Sequence, residues 1–227
     1  MERHARPRAT RSALAALAVC AALAAPAPAS ALSIGVSFTS SGYQVQAGDG
    51  YLDLLAQHQA GAALGGGTVT SLANVSTAVY APGVTSNYSL AMFVDLSVAQ
   101  AGLYEFQVGV DWGRGGVAAV IDNSDGSVVS QYVRTDDLWW ANSWTNPDVF
   151  TTQLNLAYGE SYTLAWIGFE DCCAGASTIR FRFDGGAYQT IDTTSMAPYA
   201  LVPEPGTGVL VGAGLCGVGW VRRRRAR

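Results

Sequence analysis

The chain of 227 residues contains no lysine; all 13 of its basic residues are arginine. Arginine itself is scarce in the middle. Between residues 32 and 201 only Arg114, Arg134, Arg180 and Arg182 occur, against 15 acids, a formal charge of −11. Phosphate backbones are held by clustered Lys and Arg, so a middle of this sign argues against a nucleic-acid partner. Histidine is nearly missing too, with only His4 and His58. His4 falls in a leader, so a Ser-His-Asp or Cys-His device would have to use His58. That residue stands between Gln57 and Gln59 ahead of a glycine-rich stretch, and reads as an exposed helix or loop histidine. Phosphate-loop chemistry is also lacking, because Gly113-Arg114-Gly115-Gly116 has no Lys-Ser/Thr ending. No cofactor motif is present. With 49% hydrophobic and 13% charged residues, the chain is globular and long enough for one ordinary domain or two small ones.

Both ends read as addresses. Four arginines (Arg3, Arg6, Arg8, Arg11) precede an apolar run over residues 13–25 and the small-residue exit Ala27-Pro28-Ala29-Ser30-Ala31. This order predicts a signal peptide over residues 1–31, with the mature start near Leu32. A lipoprotein signal acylated at Cys20 is the rival, although Val19 is large for the position before it. At the other end a stalk over residues 198–202 leads to Pro203-Glu204-Pro205. A Gly-rich apolar run over 206–221 follows, then Arg222, Arg223, Arg224, Arg225 and Arg227. The apolar run, at ~1.5 Å per residue, reaches ~24 Å as a single helix, a marginal membrane span. Its arginines would stay cytoplasmic, which places the middle of the chain beyond the inner membrane.

These three parts in this order resemble the PEP-CTERM sorting signal of bacterial surface proteins, over residues 203–227. The resemblance implies recognition and processing by an exosortase near Pro203-Glu204-Pro205. It also implies transient residence in the inner membrane and a double-membraned bacterium that exports extracellular polysaccharide. A plain single-span anchor with a proline-rich stalk is the alternative.

Residues 32–197 read as an all-β exported domain. Tyr88, Leu90, Met92, Val94, Leu96 and Val98 alternate with more polar residues. So do Tyr104, Phe106, Val108, Val110 and Trp112, and then Ile179, Phe181 and Phe183. Period-two patterns of this kind suit antiparallel strands with one buried and one wet face. Further strands are predicted over 32–39, 75–80, 117–122, 127–133, 149–156, 161–170 and 187–192. Asn123-Ser124-Asp125-Gly126 and Asp184-Gly185-Gly186 predict hairpin turns, and Tyr158-Gly159 another connection. A short helix is expected over 51–60 with Leu52, Leu55 and Ala56 on one side, then a flexible loop over 61–67. The sum is an antiparallel β-sandwich, jelly-roll-like.

Within this domain the only cysteines are the neighbours Cys172 and Cys173. Export places them in an oxidising compartment. Adjacent Cα atoms lie ~3.8 Å apart, short for an ordinary disulfide, so a bond between them would lock a tight turn. Two thiols, disulfides to another chain and a metal site are the other readings; with His58 as the one nitrogen donor, zinc is weakly supported. The segment around Cys172-Cys173-Ala174-Gly175 resembles the Cys-Cys-x-Gly signature of the CCXG-type PEP-CTERM proteins. Similar turns occur in sugar-binding-like β-sandwich modules, a resemblance that covers about residues 100–192 and implies no transferable activity.

The best binding candidate is the stretch Asp136-Asp137-Leu138-Trp139-Trp140-Ala141-Asn142-Ser143-Trp144-Thr145-Asn146-Pro147-Asp148. Sugar rings present apolar C–H faces that stack on indoles, and carboxylates and amides take their hydroxyls; Trp is also prominent in interface hot spots. Alternatively, two of the three tryptophans cap the core. Carboxylate catalysis would need two positioned acids from among Asp136, Asp137, Glu160, Glu170 and Asp171, whose separation the sequence does not fix. Calcium at Asp122-Asn123-Ser124-Asp125-Gly126 lacks the EF-hand spacing, and a hairpin turn explains that segment. The expectation is a noncatalytic, exosortase-sorted surface or matrix protein that binds extracellular polysaccharide or a protein partner. A purely structural biofilm component and a carboxylate-dependent glycan hydrolase are the alternatives.

Overall fold

The computed structural model describes residues 32–173 and 175–202. The expected signal peptide, sorting signal and apolar membrane helix fall outside the described residues. Among those described, no helix is long and apolar enough to cross a membrane. In chain order the elements are β1 (Leu32–Ser40), α1 (Tyr51–Ala60), β2 (Ala63–Thr68), α2 (Thr77–Tyr80), β3 (Tyr88–Ser97), β4 (Gly102–Gly109), β5 (Asp111–Trp112), β6 (Gly116–Asp122), β7 (Val128–Arg134), β8 (Leu138–Trp139), β9 (Phe150–Leu156), β10 (Ser161–Glu170), β11 (Thr178–Phe183), β12 (Gln189–Thr190) and α3 (Thr193–Met196). A 3-10 turn over Ala197–Tyr199 follows.

All pairings are antiparallel. Six strands form one sheet in the order β2-β1-β3-β10-β6-β7, four form a second in the order β12-β11-β4-β9, and β5 pairs with β8 apart from both. The two large sheets enclose the main core, which includes Ile34, Met92, Phe106, Trp166 and Phe181. Phe106 of one sheet meets Trp166 of the other edge-on at 5.8 Å between centroids. Each such side chain contributes ~1.5–3 kcal/mol on full burial, so this interface carries much of the stability.

A second core lies on the other face of the larger sheet. There Tyr51 and Leu54 of α1 pack on Ala91, Val117, Ala165 and Ile167. This corrects the reading of β3 as a strand with one wet face: Ser89 and Ala91 are as buried as Leu90 and Met92. Alternation marks which residues share a face, but not whether something covers that face.

Other expectations change as well. Residues 75–80 are not a strand; Val75 makes a single bridge to Ser177, and Thr77–Tyr80 forms one helical turn. Here the β-branched pattern yields to packing, with the Tyr80 ring stacked 6.3 Å from Phe38. The 61–67 stretch is not a loop throughout. Its glycines pair with β1, Gly65 facing Phe38 and Gly67 facing Val36, a strand that no side-chain period can reveal. The 187–192 strand contracts to Gln189–Thr190. On α1 the buried face is Tyr51, Leu54 and His58, while Leu52 is 63% exposed.

The ends of the described body meet at one pole. Leu32 lies opposite Leu96, Ala200 bridges Val98, and Leu201 N donates to Ser97 O at 2.8 Å. At the far end of the same sheet, Glu170 lies opposite Tyr88.

Candidate functional site

The far pole carries an open cleft of about 490 Å³, lined by Asp111, Asp137, Trp139, Glu170, Cys172 and Cys173 among others. Three segments distant in sequence build it. β5 pairs with β8, which sets Asp111 opposite Trp139. β10 ends at Glu170, and the turn that follows brings the two cysteines to the rim. Period two then separates neighbouring tryptophans: Leu138 and Trp140 turn inward, and Trp139 stands 63% exposed.

Glu170 is 2% exposed and fully engaged. Its Oε1 accepts hydrogen bonds from Asp171 N at 2.9 Å and Cys172 N at 3.0 Å, and its Oε2 accepts from Gly113 N at 3.0 Å. Burial pushes its carboxyl above the ordinary range, and these N–H donors pull it partly back. Asp111 is pushed up to about 6, mainly by burial and then by the nearby Glu170 and Asp137 charges; the Gly175 N–H opposes this. The cleft therefore gathers acids whose mutual repulsion favours a bound hydroxyl donor or a proton.

Cys172 and Cys173 form a vicinal disulfide, with Cα atoms 3.8 Å apart. Cys173 adopts φ +72°, in the left-handed region. The glycine of the Cys-Cys-x-Gly turn has a steric reason: a Cβ on Gly175 would stand 1.6 Å from Asp111 Oδ2. Close approach of the turn to Asp111 thus requires the missing side chain.

As metal donors, Glu170, Asp171 and Cys172 offer atoms within 4.8 Å of one another. The Cys172 sulfur is committed to the disulfide and Glu170 Oε1 already accepts two backbone N–H groups, so these two atoms are poor metal donors. The Asp122–Gly126 segment is a hairpin turn: Asp122 Oδ1 accepts from Ser124 N, Asp125 Oδ1 accepts from Ser127 N, and Gly126 has φ +76°.

The remaining candidates disperse. Asp136 is exposed and ion-paired with Arg134. Asn142 is exposed at φ +55° in the turn after β8. Trp140 is 4% exposed and packs over Gly109, where a Cβ would stand 2.6 Å from its ring. Trp144 rests on Trp140 at 4.8 Å and carries the Arg180 guanidinium at 4.0 Å. Among the acids weighed for catalysis, Glu160 lies at the opposite pole, where its carbonyl accepts from Val98 N.

His58 is not exposed. It is 4% accessible, and burial lowers its pKa to about 4. Its Nε2 lies 2.7 Å from Ser37 Oγ, and its Nδ1 lies 2.6 Å from Ser89 Oγ and 3.2 Å from Thr39 Oγ1. Among the described residues no carboxylate bonds either ring nitrogen, so the cluster is a neutral pin between α1 and the sheet, without the acid of a catalytic triad. The spacing of Tyr51, Leu54 and His58 is the sequence signal that would have exposed it. Asp111 was missed because alternation alone places it on the wet side between Val110 and Trp112.

No curated protein matches the chain. Solved structures of similar shape include the PA14 sugar-binding domain from an RTX adhesin, at 15% identity and TM-score 0.43, covering 71% of this chain and 96% of that one. Another is the epithelial adhesin 9 A domain of Candida glabrata in complex with Galb1-4GlcNAc, at 11% identity and TM-score 0.47, covering 78% and 93%. A third is the PA14 domain of the antifreeze protein MpAFP, at 12% identity and TM-score 0.44, covering 73% and 89%. The family model of the PEP-CTERM protein-sorting motif matches residues 201–225.

Proposed function

We propose that the chain is an exosortase-sorted protein of the cell surface or extracellular matrix whose β-sandwich, residues 32–197, binds glycan without catalysis. The leader over residues 1–31 and the stalk at 198–202 complete this organisation. The sorting motif at 201–225 supports the export half of the reading. One observation carries the binding half: Trp139, 63% exposed, stands in an open cleft beside Asp111, Asp137 and Glu170. An exposed indole beside carboxylates matches the amphipathic surface of a pyranose, with its apolar ring face and its hydroxyl donors. The vicinal disulfide adds a second apolar, polarizable wall.

A hydrolase reading would draw on Asp111, held near 6, as a proton donor. Against it, the most buried acid of the cleft has both oxygens occupied by backbone N–H groups. The test is retardation of the purified full chain, in detergent, on polysaccharide affinity gels. Trp139→Ala should remove the retardation while the circular dichroism spectrum and Tm stay unchanged. Unaltered mobility on every glycan would favour a purely structural matrix component, and release of reducing sugar would favour the hydrolase.

A further inference from the structure

The outer face of the four-stranded sheet carries a second constellation, away from the cleft. Arg180 of β11 lies opposite Gln107 of β4, on the face turned away from Phe106 and Phe181. Its guanidinium lies over two rings, 4.0 Å from the Trp144 centroid and 4.5 Å from that of Tyr188. Its Nε and Nη2 both donate to Gln107 Oε1. The neighbouring charges are already matched. Arg182 Nη2 pairs with Glu105 Oε1 at 2.7 Å, and Tyr188 OH donates to the same oxygen. Among the described residues Arg180 has no carboxylate partner, and Nη1 has no hydrogen bond.

A guanidinium has two faces and several N–H edges. Here two rings pack against the guanidinium and the Nε/Nη2 edge is taken by Gln107. What remains is the Nη1/Nη2 edge, which is the geometry for an end-on carboxylate. Around it the sheet offers neutral polar groups: Thr151 lies opposite Gln107, and Gln153 lies opposite the neutralised Glu105. One half-buried cation without a carboxylate partner, among amides and hydroxyls, fits a ligand with one carboxylate set among many hydroxyls. It does not fit a dense polyanion, which a domain of formal charge −11 would repel.

We propose that this edge binds the carboxylate of a uronic-acid unit in an anionic saccharide, a site separate from the Trp139 cleft. Arg180 pairs with the carboxylate. Trp144 and Tyr188 hold the guanidinium flat, and Gln107 fixes its rotation. The stack removes the side-chain freedom that an exposed arginine would lose on pairing, so a single pair can bind measurably.

The test is an NMR titration of the full chain in detergent, reading the Arg180 Nε–H and the Trp144 indole N–H. The probes are a xylose oligomer carrying a single glucuronic-acid unit, the same oligomer with that carboxyl reduced to the alcohol, which is neutral, and an oligoglutamate. The singly charged glucuronate oligomer alone is expected to shift both signals. Arg180→Gln should weaken it ~10-fold or more, the loss of one charge-assisted pair. Gln107→Glu guards against misfolding of that variant: it keeps the stack, supplies an internal carboxylate and should weaken binding to the same degree. Trp139→Ala should leave uronate binding intact, which separates failure of this site from failure of the cleft. Equal shifts with the neutral oligomer, equal binding of oligoglutamate, or native affinity in Gln107→Glu would each overturn the proposal.

Discussion

Gly113 N donates to Glu170 Oε2 at 3.0 Å, and through that bond the end of β10 holds the loop between β5 and β6. Two more N–H groups, of Asp171 and Cys172, meet the other oxygen of the same carboxylate. A buried acid with donors on both oxygens acts as a clamp on the floor of the cleft.

Glu170→Gln should therefore destabilise the protein despite its small change in shape. One oxygen becomes an NH2 that faces an N–H, which leaves a buried donor unpaired at a cost of ~1–3 kcal/mol. Urea midpoints of the two proteins at pH 7 check this. Equal midpoints would mean that the clamp does not contribute.

His58 gives stability a dependence on acid. The unfolded imidazole titrates near its ordinary 6.5, whereas the folded one resists protonation to about 4. The unfolded chain binds more protons in between, so the contribution is complete above pH 6.5 and is lost as pH falls toward 4, by on the order of 3 kcal/mol. Asp111 works the other way, because its folded value is raised and acid relieves it. The difference in unfolding free energy between the native protein and His58→Gln isolates the histidine. That difference should shrink from pH 7.5 to pH 4; a constant difference would show that His58 does not titrate between the two states.

Gly168 lies under the Trp112 indole, where a Cβ would stand 2.1 Å from ring atoms. Gly168→Ala should cost ~1–3 kcal/mol by overpacking, with Trp112 displaced. Gly126, in an open turn at φ +76°, meets nothing within 4 Å. Gly126→Ala should cost ~1 kcal/mol from backbone strain alone. Thermal melts of the pair rank the two effects, and a reversed order would refute the packing account.

The cysteine pair should resist alkylation until reduced. Mass spectrometry of the peptide holding Cys172 and Cys173 should show no adduct before reduction and two after it. The bond encloses almost no chain, so Cys→Ser at both positions should leave the urea midpoint nearly unchanged. The loss should appear in glycan retardation. Two adducts without reductant would remove the disulfide from the cleft.

Much of the fold is legible in the residues because one rule, period two, is strong along β3, β4 and β11, and the polar turn at 123–126 falls where hairpin chemistry requires. The helix over residues 51–60 is legible too, but not its orientation. Leu52 looks like a core residue and is exposed, while His58 looks polar and is buried, because the sheet surface it meets is lined with hydroxyls from Ser37, Thr39 and Ser89. The site is legible only in part. Trp139 stands out by type, yet Asp111 joins it through the β5–β8 pairing, and no local pattern announces that residues 111, 139 and 170 converge. The tryptophan cluster is divided among three environments by alternation and by one turn, which composition cannot resolve.

Leu32 and Leu201 depart from the same pole, beside Leu96 and Ser97, whereas Glu170 and the cleft sit at the Tyr88 end of the same strands. Ten-residue strands at ~3.3 Å per residue put ~30 Å between the two poles. A molecule moored by the segment after Val202 would hold its mouth outward like a flower on a stem. It could sample the surroundings while still attached, and release from the mooring would change its reach without changing what it recognises.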